Sequence, residues 1–241
     1  MAQNLFELSI YIMKYFISAP FGNYIKLPNT ISVTGSWTYQ SRPGLLPQVL
    51  KTLRYTKSGW VNKIGLRNAG VVTGLKRTKT TEVLSLAAID KNDWISLSYV
   101  VPSTTSVEIN ISCPNLDKDS GAVNLPGFDI FPQTKREWCI CKIPPTASEN
   151  LIDKIVDSGY NQIHASNTLY SLNGGQSGNI LKPYTTRIID YIKVKHPHVT
   201  IIAGGGVTNK SDAKYYFDQG ADYVSLGTVC FTPWKLKNIL T

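Results

Sequence analysis

The run Val107-Glu108-Ile109-Asn110-Ile111-Ser112-Cys113-Pro114-Asn115 places a thiol between side-chain amides. Val107, Ile109 and Ile111 alternate with Glu108, Asn110 and Ser112, which is the period of a β-strand. Pro114 ends it, because proline has no N–H to give a sheet ladder. The amides and the thiol therefore sit at the carboxyl end of a strand, where α/β sheets and barrels keep their chemistry. Neutral Asn side chains present donors and acceptors together, so a pair can hold a flat imide or amide ring. A cysteine between them can take a proton from a carbon of that ring. By itself the run also fits a strand end that merely turns.

The elements that must position these groups alternate in the second half of the chain. Residues 138–143 read as a strand stopped by Pro144-Pro145. Thr146 and Glu149 then spell a capping box for a helix with Leu151, Ile152, Ile155 and Val156 on one face, closed by Gly159. Residues 161–166 are the next strand, followed by the loop Gly174-Gly175-Gln176-Ser177-Gly178. Pro183 opens a helix carrying Ile188, Ile189 and Ile192, and residues 199–203 form a strand. Asn209 caps a helix that stops at Gly220, and residues 223–226 are the last strand. Strands separated by helical patterns argue a parallel sheet.

In the first half, strands are expected over residues 15–19, 31–34, 94–99 and 107–112. With the four above they make the eight of a closed barrel, in one domain over residues 1–241. About ten residues join the first strand to the second and about seven join the third to the fourth, whereas a parallel crossover takes roughly 10–12 with its helix. The expected fold is thus a (β/α)₈ TIM barrel with some outer helices missing or reduced in the N-terminal half. The flank near residues 20–30 and 100–106 is then expected to be covered by another subunit.

Composition sets the outer bounds. Of 241 residues, 42% are hydrophobic and 17% charged, which suits a soluble globular protein. The net charge of +9 raises the question of nucleic acid, but the basic residues are dispersed, the densest group being Lys76-Arg77-Thr78-Lys79. A diffuse positive field fits an anionic small substrate and a phosphate-bearing cofactor better. Cys113, Cys139, Cys141 and Cys230 make no CxxC pair and no zinc spacing, so no metal site is expected. Free thiols in a reducing compartment fit a chain of this length, with Cys139 and Cys141 buried and inert on one strand face. The apolar stretch from residue 8 to 17 is broken by Lys14 and too short to span a bilayer. The expected location is the cytoplasm, with no membrane contact.

Two further segments carry chemistry. Gly204-Gly205-Gly206 follows an apolar strand, and Leu226-Gly227-Thr228 ends the last one. Glycines there let backbone N–H groups approach a phosphate, at the place where barrels put one. Lys142 stands at a strand end before the two prolines, where a buried cation could stabilise developing negative charge.

Asn-Ile-Ser-Cys-Pro-Asn closely resembles the active-site segment of dihydroorotate dehydrogenases, the flavin enzymes of pyrimidine synthesis. Further segments resemble the family in its own order, over roughly residues 18 to 228. The paired glycine segments resemble the phosphate site of flavin-mononucleotide (FMN) barrels, which implies that Gly204, Gly205, Gly206, Gly227 and Thr228 bind FMN. Lys142 matches the family's Lys-Leu/Ile-Pro-Pro, which implies that it faces the flavin and stabilises its reduced form. Asn62-Lys63-Ile64-Gly65-Leu66-Arg67-Asn68-Ala69-Gly70 resembles the substrate loop, so Asn62, Gly65 and Leu66 would meet orotate. Asn167-Thr168 matches the Asn-Thr pair, which with Asn110 and Asn115 gives four amides around one ring. Gly174 to Gly178 resembles the loop over the flavin, through Gly175 and Gly178, with Gln176 where the family has Leu. Ser36, in Gly35-Ser36-Trp37-Thr38, is the implied contact after the second strand, and Ala19 fits the first strand end more loosely.

The resemblance implies that Cys113 removes the C5 proton of dihydroorotate while a hydride passes from C6 to the flavin. Cysteine as the base marks the soluble classes. Ile64-Gly65-Leu66 and Asn167-Thr168-Leu169 look most like the NAD-linked class, which works with a separate flavin and iron–sulfur subunit; the fumarate-reducing class stays open. A homo-oligomer is the expected assembly. Thr38-Tyr39-Gln40-Ser41-Arg42-Pro43 and the loop after Asn115 depart from the family, so a related pyrimidine such as uracil or a tRNA uridine is the alternative substrate. A catalytically silent FMN-binding barrel is the rival from another class.

Overall fold

The computed structural model describes residues 15–112 and 124–241. Its strands are β1 (Tyr15–Ile17), β2 (Thr30–Trp37), β3 (Arg54–Thr56), β4 (Gly59–Asn62), β5 (Val83–Leu86), β6 (Val107–Asn110), β7 (Cys139–Ile143), β8 (Gln162–Ala165), β9 (Leu169–Ser171), β10 (Gly174–Gln176), β11 (Thr200–Gly204) and β12 (Tyr223–Leu226). The α-helices among the described residues are α1 (Leu45–Thr52), α2 (Val71–Arg77), α3 (Asp93–Val100), α4 (Glu149–Asp157), α5 (Lys182–Lys195), α6 (Lys210–Asp218) and α7 (Pro233–Leu240).

Eight strands close into a parallel barrel in the order β1-β12-β11-β8-β7-β6-β5-β2, with β2 back against β1. The fold is a (β/α)₈ barrel. Strands β3, β4, β10 and β9 form a separate antiparallel sheet, built from the excursions after β2 and after β8. Both excursions leave carboxyl ends of barrel strands, so this sheet belongs to the end of the barrel that carries chemistry.

Because both faces of a parallel barrel are covered, its strands are apolar on both sides. Outward-facing Ile109, Cys141, Ile163, Ile201 and Val224 join the core under the helices. Inside, Phe16, Ile31, Val33, Val83, Ile140 and Ile202 form a second cluster. Phe16, Trp138 and Tyr223 meet edge to face there, with ring centroids 5.1–5.5 Å apart. Two residues further along the same inward faces, Phe16 gives way to Ser18, Val83 to Ser85, Ile140 to Lys142, Ile202 to Gly204 and Tyr223 to Ser225. The barrel is greasy at its amino end and polar toward its carboxyl end.

The second half follows the sequence reading closely. Pro183 lies in the first turn of α5, whose Ile188, Ile189 and Ile192 are buried. Asn209 caps α6 by accepting the Asp212 N–H at 2.9 Å. One cap differs: Ser148, not Thr146, accepts the Leu151 N–H at 3.2 Å and starts α4. The hydroxyl that reaches the first free N–H groups is the one immediately before the helix.

The first half needs one correction. Residues 94–99, expected as the third strand, lie in helix α3, and the third barrel strand is β5. The alternation in Trp94-Ile95-Ser96-Leu97-Ser98-Tyr99 imitates a strand, but Trp94, Leu97 and Val101 are the buried positions, the spacing of one helix face. The crossover from β5 to β6 therefore has its helix. The flank near 20–30 and 100–106 is covered from within only in part, and Tyr24 and Val100 stay exposed. Phe21, Ile25 and Leu27 of the first crossover, which holds only a 3₁₀ turn at Phe21–Asn23, pack against the core. Arg136 ties down the other segment by donating to Pro102 O and Thr105 O.

Helix α3 is docked through Trp94, whose ring lies 6.4 Å from Phe128 and 6.0 Å from Phe131. Trp94→Ala should cost about 3–5 kcal/mol, as for other large aromatic truncations in a closed core. Urea unfolding checks this: the midpoint falls with the slope unchanged. A loss under about 0.5 kcal/mol would remove α3 from the cooperative core.

Candidate active site

The polar end of the barrel is organised around one carboxylate. Glu108 comes from the middle of β6 and is wholly buried, flanked by Val107 and Ile109 on the opposite face. Its Oε2 lies 2.6 Å from His164 Nδ1 on β8, and its Oε1 accepts from Ser85 Oγ on β5 at 2.9 Å. The Lys142 ammonium on β7 stands 3.8 Å from Oε1 and donates to Ser18 Oγ at 3.2 Å. Parallel register makes this possible, since Asn110, Lys142 and His164 are direct partners across β6, β7 and β8.

The electrostatics follow from burial. Desolvation alone would push the Glu108 carboxyl up; Lys142, His164 and the hydrogen bonds from His164 and Ser85 outweigh it and bring it from 4.5 to about 2. Burial, and then Lys142, lowers the His164 pKa, against the pull of Glu108. A neutral His164 donates from Nδ1 to Glu108. Its Nε2 faces Gly204, where a Cβ would stand 3.4 Å away.

Above this group the amides converge. Asn110 Nδ2 donates to Ser36 Oγ at 2.9 Å, and Ser36 Oγ meets Ser85 Oγ at 2.8 Å. Asn110 Oδ1 accepts from the N–H and hydroxyl of Ser112, at 3.1 and 2.8 Å. Asn167 Nδ2 donates to Ser112 Oγ at 2.9 Å and to Asn110 Oδ1 at 3.4 Å. A continuous chain of hydrogen bonds thus runs from Asn167 through Ser112, Asn110, Ser36 and Ser85 to Glu108 and His164.

Of the residues singled out in the sequence, the structure brings Ser36, Asn110, Lys142 and Asn167 into this one cluster. Thr168 adjoins it, its N–H donating to Asn167 Oδ1 at 2.8 Å. Asn62 lies on β4 of the side sheet, opposite Gly175 on β10, and its Oδ1 accepts the Ile64 N–H at 3.2 Å. Gly65 and Leu66 follow in the loop after β4, both with positive φ. Ala19 lies just beyond β1. Cys113 and Asn115 fall outside the described residues. Sequence reasoning passed over Glu108, Ser85 and His164 as functional residues. The signal was a charge at an inward position of a strand covered on both faces, where only a partnered charge is tolerated.

The remaining cysteines are inert. Cys139, Cys141 and Cys230 are free and buried, and burial raises all three thiols, Cys139 and Cys230 to about 12.

The glycine segments have the features of a phosphate cradle. Among the described residues, no hydrogen bond uses the N–H groups of Gly205, Gly206 or Gly227. Gly205 and Gly206 have positive φ, and a Cβ on Gly206 would meet Asn179 Cα at 2.9 Å and Gly178 O at 3.0 Å. The Gly178 loop is therefore packed directly against the glycines after β11. A Cβ on Gly227 would meet nothing within 4 Å, so the space beside that strand end is open. Ser225 Oγ, just below it, is buried without a partner. Free amides at two adjacent strand ends, an open space and an ammonium nearby fit a phosphate-bearing flavin.

Comparisons with known proteins agree with this geometry. A family model described as dihydroorotate dehydrogenase matches residues 21–240. The catalytic subunits of dihydroorotate dehydrogenase B (NAD(+)) from Thermotoga petrophila and Thermotoga maritima are each 26% identical over 242 residues, covering 88% of this chain and 88% of theirs. The same subunit from Staphylococcus carnosus is 27% identical over 223 residues, covering 77% of this chain and 71% of its own. Among solved structures, that of Eimeria tenella dihydroorotate dehydrogenase in complex with ferulenol superposes with a TM-score of 0.66 at 17% identity, covering 94% of this chain and 79% of that one. This last likeness is one of fold.

A carboxyl whose folded pKa lies below its unfolded one stabilises the fold above the unfolded value and loses that contribution as pH falls through the folded value. Between pH 4.5 and about 2, the wild-type Tm should therefore fall more steeply than that of Glu108→Gln. Thermal melts at intervals across that window check it. Parallel curves would mean that Glu108 is not ionised in the folded barrel.

Proposed function

The chain belongs to the dihydroorotate dehydrogenase family, oxidoreductases acting on a CH–CH bond, and from that premise we propose that it oxidises dihydroorotate to orotate with bound FMN. The observation that carries this reading is the convergence of Asn110, Ser112 and Asn167 where the chain leaves β6 toward Cys113. Amides that donate and accept within one plane-sized cluster suit the imide edge of a pyrimidine ring.

The N–H groups of Gly205, Gly206 and Gly227, with Gly204 and Thr228 beside them, would hold the phosphate of FMN. Ser36, Ala19, Lys142 and the Gly175–Gly178 loop would line its ring. When bound, the flavin supplies a two-electron acceptor for the hydride that leaves C6 of the substrate. The work of the chain's own residues lies around that event. Asn62, Asn110, Asn115 and Asn167 orient the pyrimidine, with Thr168, Gly65 and Leu66 completing the substrate loop. The Cys113 thiolate takes the C5 proton. Loss of a proton from C5 and a hydride from C6 leaves the C5=C6 double bond of orotate, so atoms and electrons balance. Lys142 offers a fixed positive charge to the negative charge that develops on the cofactor side.

The relatives' description as catalytic subunits of an NAD(+)-linked enzyme supports a partner subunit that carries electrons onward. A homo-oligomer is part of the same reading. We place the chain in the cytoplasm as part of the same reading; among the described residues no helix is long and apolar enough to cross a membrane.

Purified chain supplied with FMN should show a flavin absorption band that bleaches on anaerobic addition of dihydroorotate. Cys113→Ala should keep the band and bleach at least about 100-fold more slowly, the usual worth of a positioned base. Unchanged reduction kinetics in that variant would take Cys113 out of the mechanism. A band that only another pyrimidine bleaches would move the substrate, and no FMN uptake would leave a silent barrel.

A further inference from the structure

The flavin reading gives Lys142 a task but none to the carboxylate buried behind it. We propose that Glu108 is a positioning residue, an internal counter-ion held by His164 and Ser85 that moderates the charge Lys142 presents and thereby lowers the reduction potential of the bound flavin. The inference rests on the FMN reading above and deepens it.

The geometry separates the roles of the two partners. Glu108 takes its hydrogen bonds from His164 and Ser85, on the strands either side of the pair β6 and β7. Lys142 stands at 3.8 Å from the carboxylate, close enough for strong attraction in a dry interior but beyond hydrogen-bond length. Its hydrogen bond goes instead to Ser18, on β1. Glu108 therefore offsets the charge of the ammonium without taking a hydrogen bond from it. Both side chains are almost fully buried, with 0% and 4% exposure, so water does not share in that screening.

Charge accounting gives the sign. Among the described residues lining the polar end of the barrel, Glu108 and Lys142 are the two full charges, and His164 is neutral with its Nδ1–H committed to Glu108. The pair sums to zero. A reduced flavin adds negative charge and competes with Glu108 for the one cation. Removing the Glu108 charge frees the whole of Lys142 for the reduced cofactor, which favours reduction. Keeping Glu108 makes the reduced cofactor readier to pass its electrons on. The hydrogen-bond chain through Ser85 and Ser36 also fixes Asn110, so the same carboxylate braces one of the amides.

The test is an anaerobic dithionite titration of the FMN-loaded protein against a reference dye, with no substrate present. Glu108→Gln keeps the shape and hydrogen-bonding capacity of the side chain and deletes its charge. It should bind reduced FMN about tenfold more tightly relative to oxidised FMN than wild type does, a rise of about 30 mV for a two-electron couple. Lys142→Met should shift the potential the other way. Should Glu108→Gln fail to fold, Glu108→Asp withdraws the charge from Lys142 by one methylene and should give a smaller rise. An unchanged or lowered potential in the folded Glu108 variant overturns the proposal, even if its Tm drops, because a bracing role alone does not move a potential. Failure of the wild-type chain to take up FMN overturns the cofactor reading itself and this inference with it. Uptake of FMN that dihydroorotate does not reduce fails only the substrate reading, and the dithionite titration still decides.

Discussion

A carboxylate carried into the middle of a closed barrel has no water to answer it, and transferring it there unpartnered would cost many kcal/mol. Glu108 is such a group, and much of the barrel's polar end is explained by what it requires. Ser85 on β5 and His164 on β8 bring donors from either side of the pair β6 and β7, and Lys142 on β7 brings the opposite charge. Ser36 and Asn110 extend the same hydrogen-bond chain toward the mouth. Each of these residues occupies the inward face of its strand, so the arrangement depends on the barrel being closed and in register. One slipped residue in any of these strands would turn its member outward.

The aliphatic and aromatic half of the interior makes this affordable. Phe16, Trp138, Tyr223, Ile140 and Ile202 fill the amino end below the carboxylate with apolar side chains. The polar groups are confined to the end where the βα connections emerge. That is also where the side sheet sits, tied to the last barrel strand's end by the contact of Trp60 with Phe231, 4.5 Å between ring centroids. Glycines allow the backbone segments there to touch. Gly178 O lies 3.0 Å from where a Cβ on Gly206 would be, and Ser177 O lies 2.0 Å from where a Cβ on Gly59 would be. The side sheet, the Gly174–Gly178 loop and the glycines after β11 thus form one packed unit, and their relative positions are set by backbone contact rather than by long side chains.

The two halves of the chain achieve coverage differently. From β7 onward each crossover between barrel strands carries a helix that buries apolar residues. Between β1 and β2 a single 3₁₀ turn and three side chains, Phe21, Ile25 and Leu27, do the same task. Gly22 lets that turn press onto β2, since a Cβ there would overlap Val33 O at 2.1 Å. Asn23 then pins it by accepting the Gly35 N–H at 3.0 Å. A short crossover works because its apolar residues fold inward onto the strand instead of being carried on a helix.

Local pattern alone determined the barrel strand that begins at Val107 and those from residue 138 onward, the caps at Pro183 and Asn209, the glycine-rich strand ends, and the strand ends at Asn110 and Lys142, whereas Asn167 was legible only through the family resemblance. These signals are short in range: strand and helix periods, missing or freed N–H groups, and the reach of a backbone without a Cβ. Residues 94–99 show where that range ends, because alternation and helical spacing overlap in six residues and only the packing of Trp94 and Leu97 decides between them. The cap at Ser148 was likewise decided by where the first helical turn fell. Tertiary structure alone decided that Glu108, Ser85 and His164, up to 79 residues apart in sequence, share one buried cluster with Lys142. No local rule pairs them, for what joins them is the closure of eight strands around a volume in which a charge must find its partners.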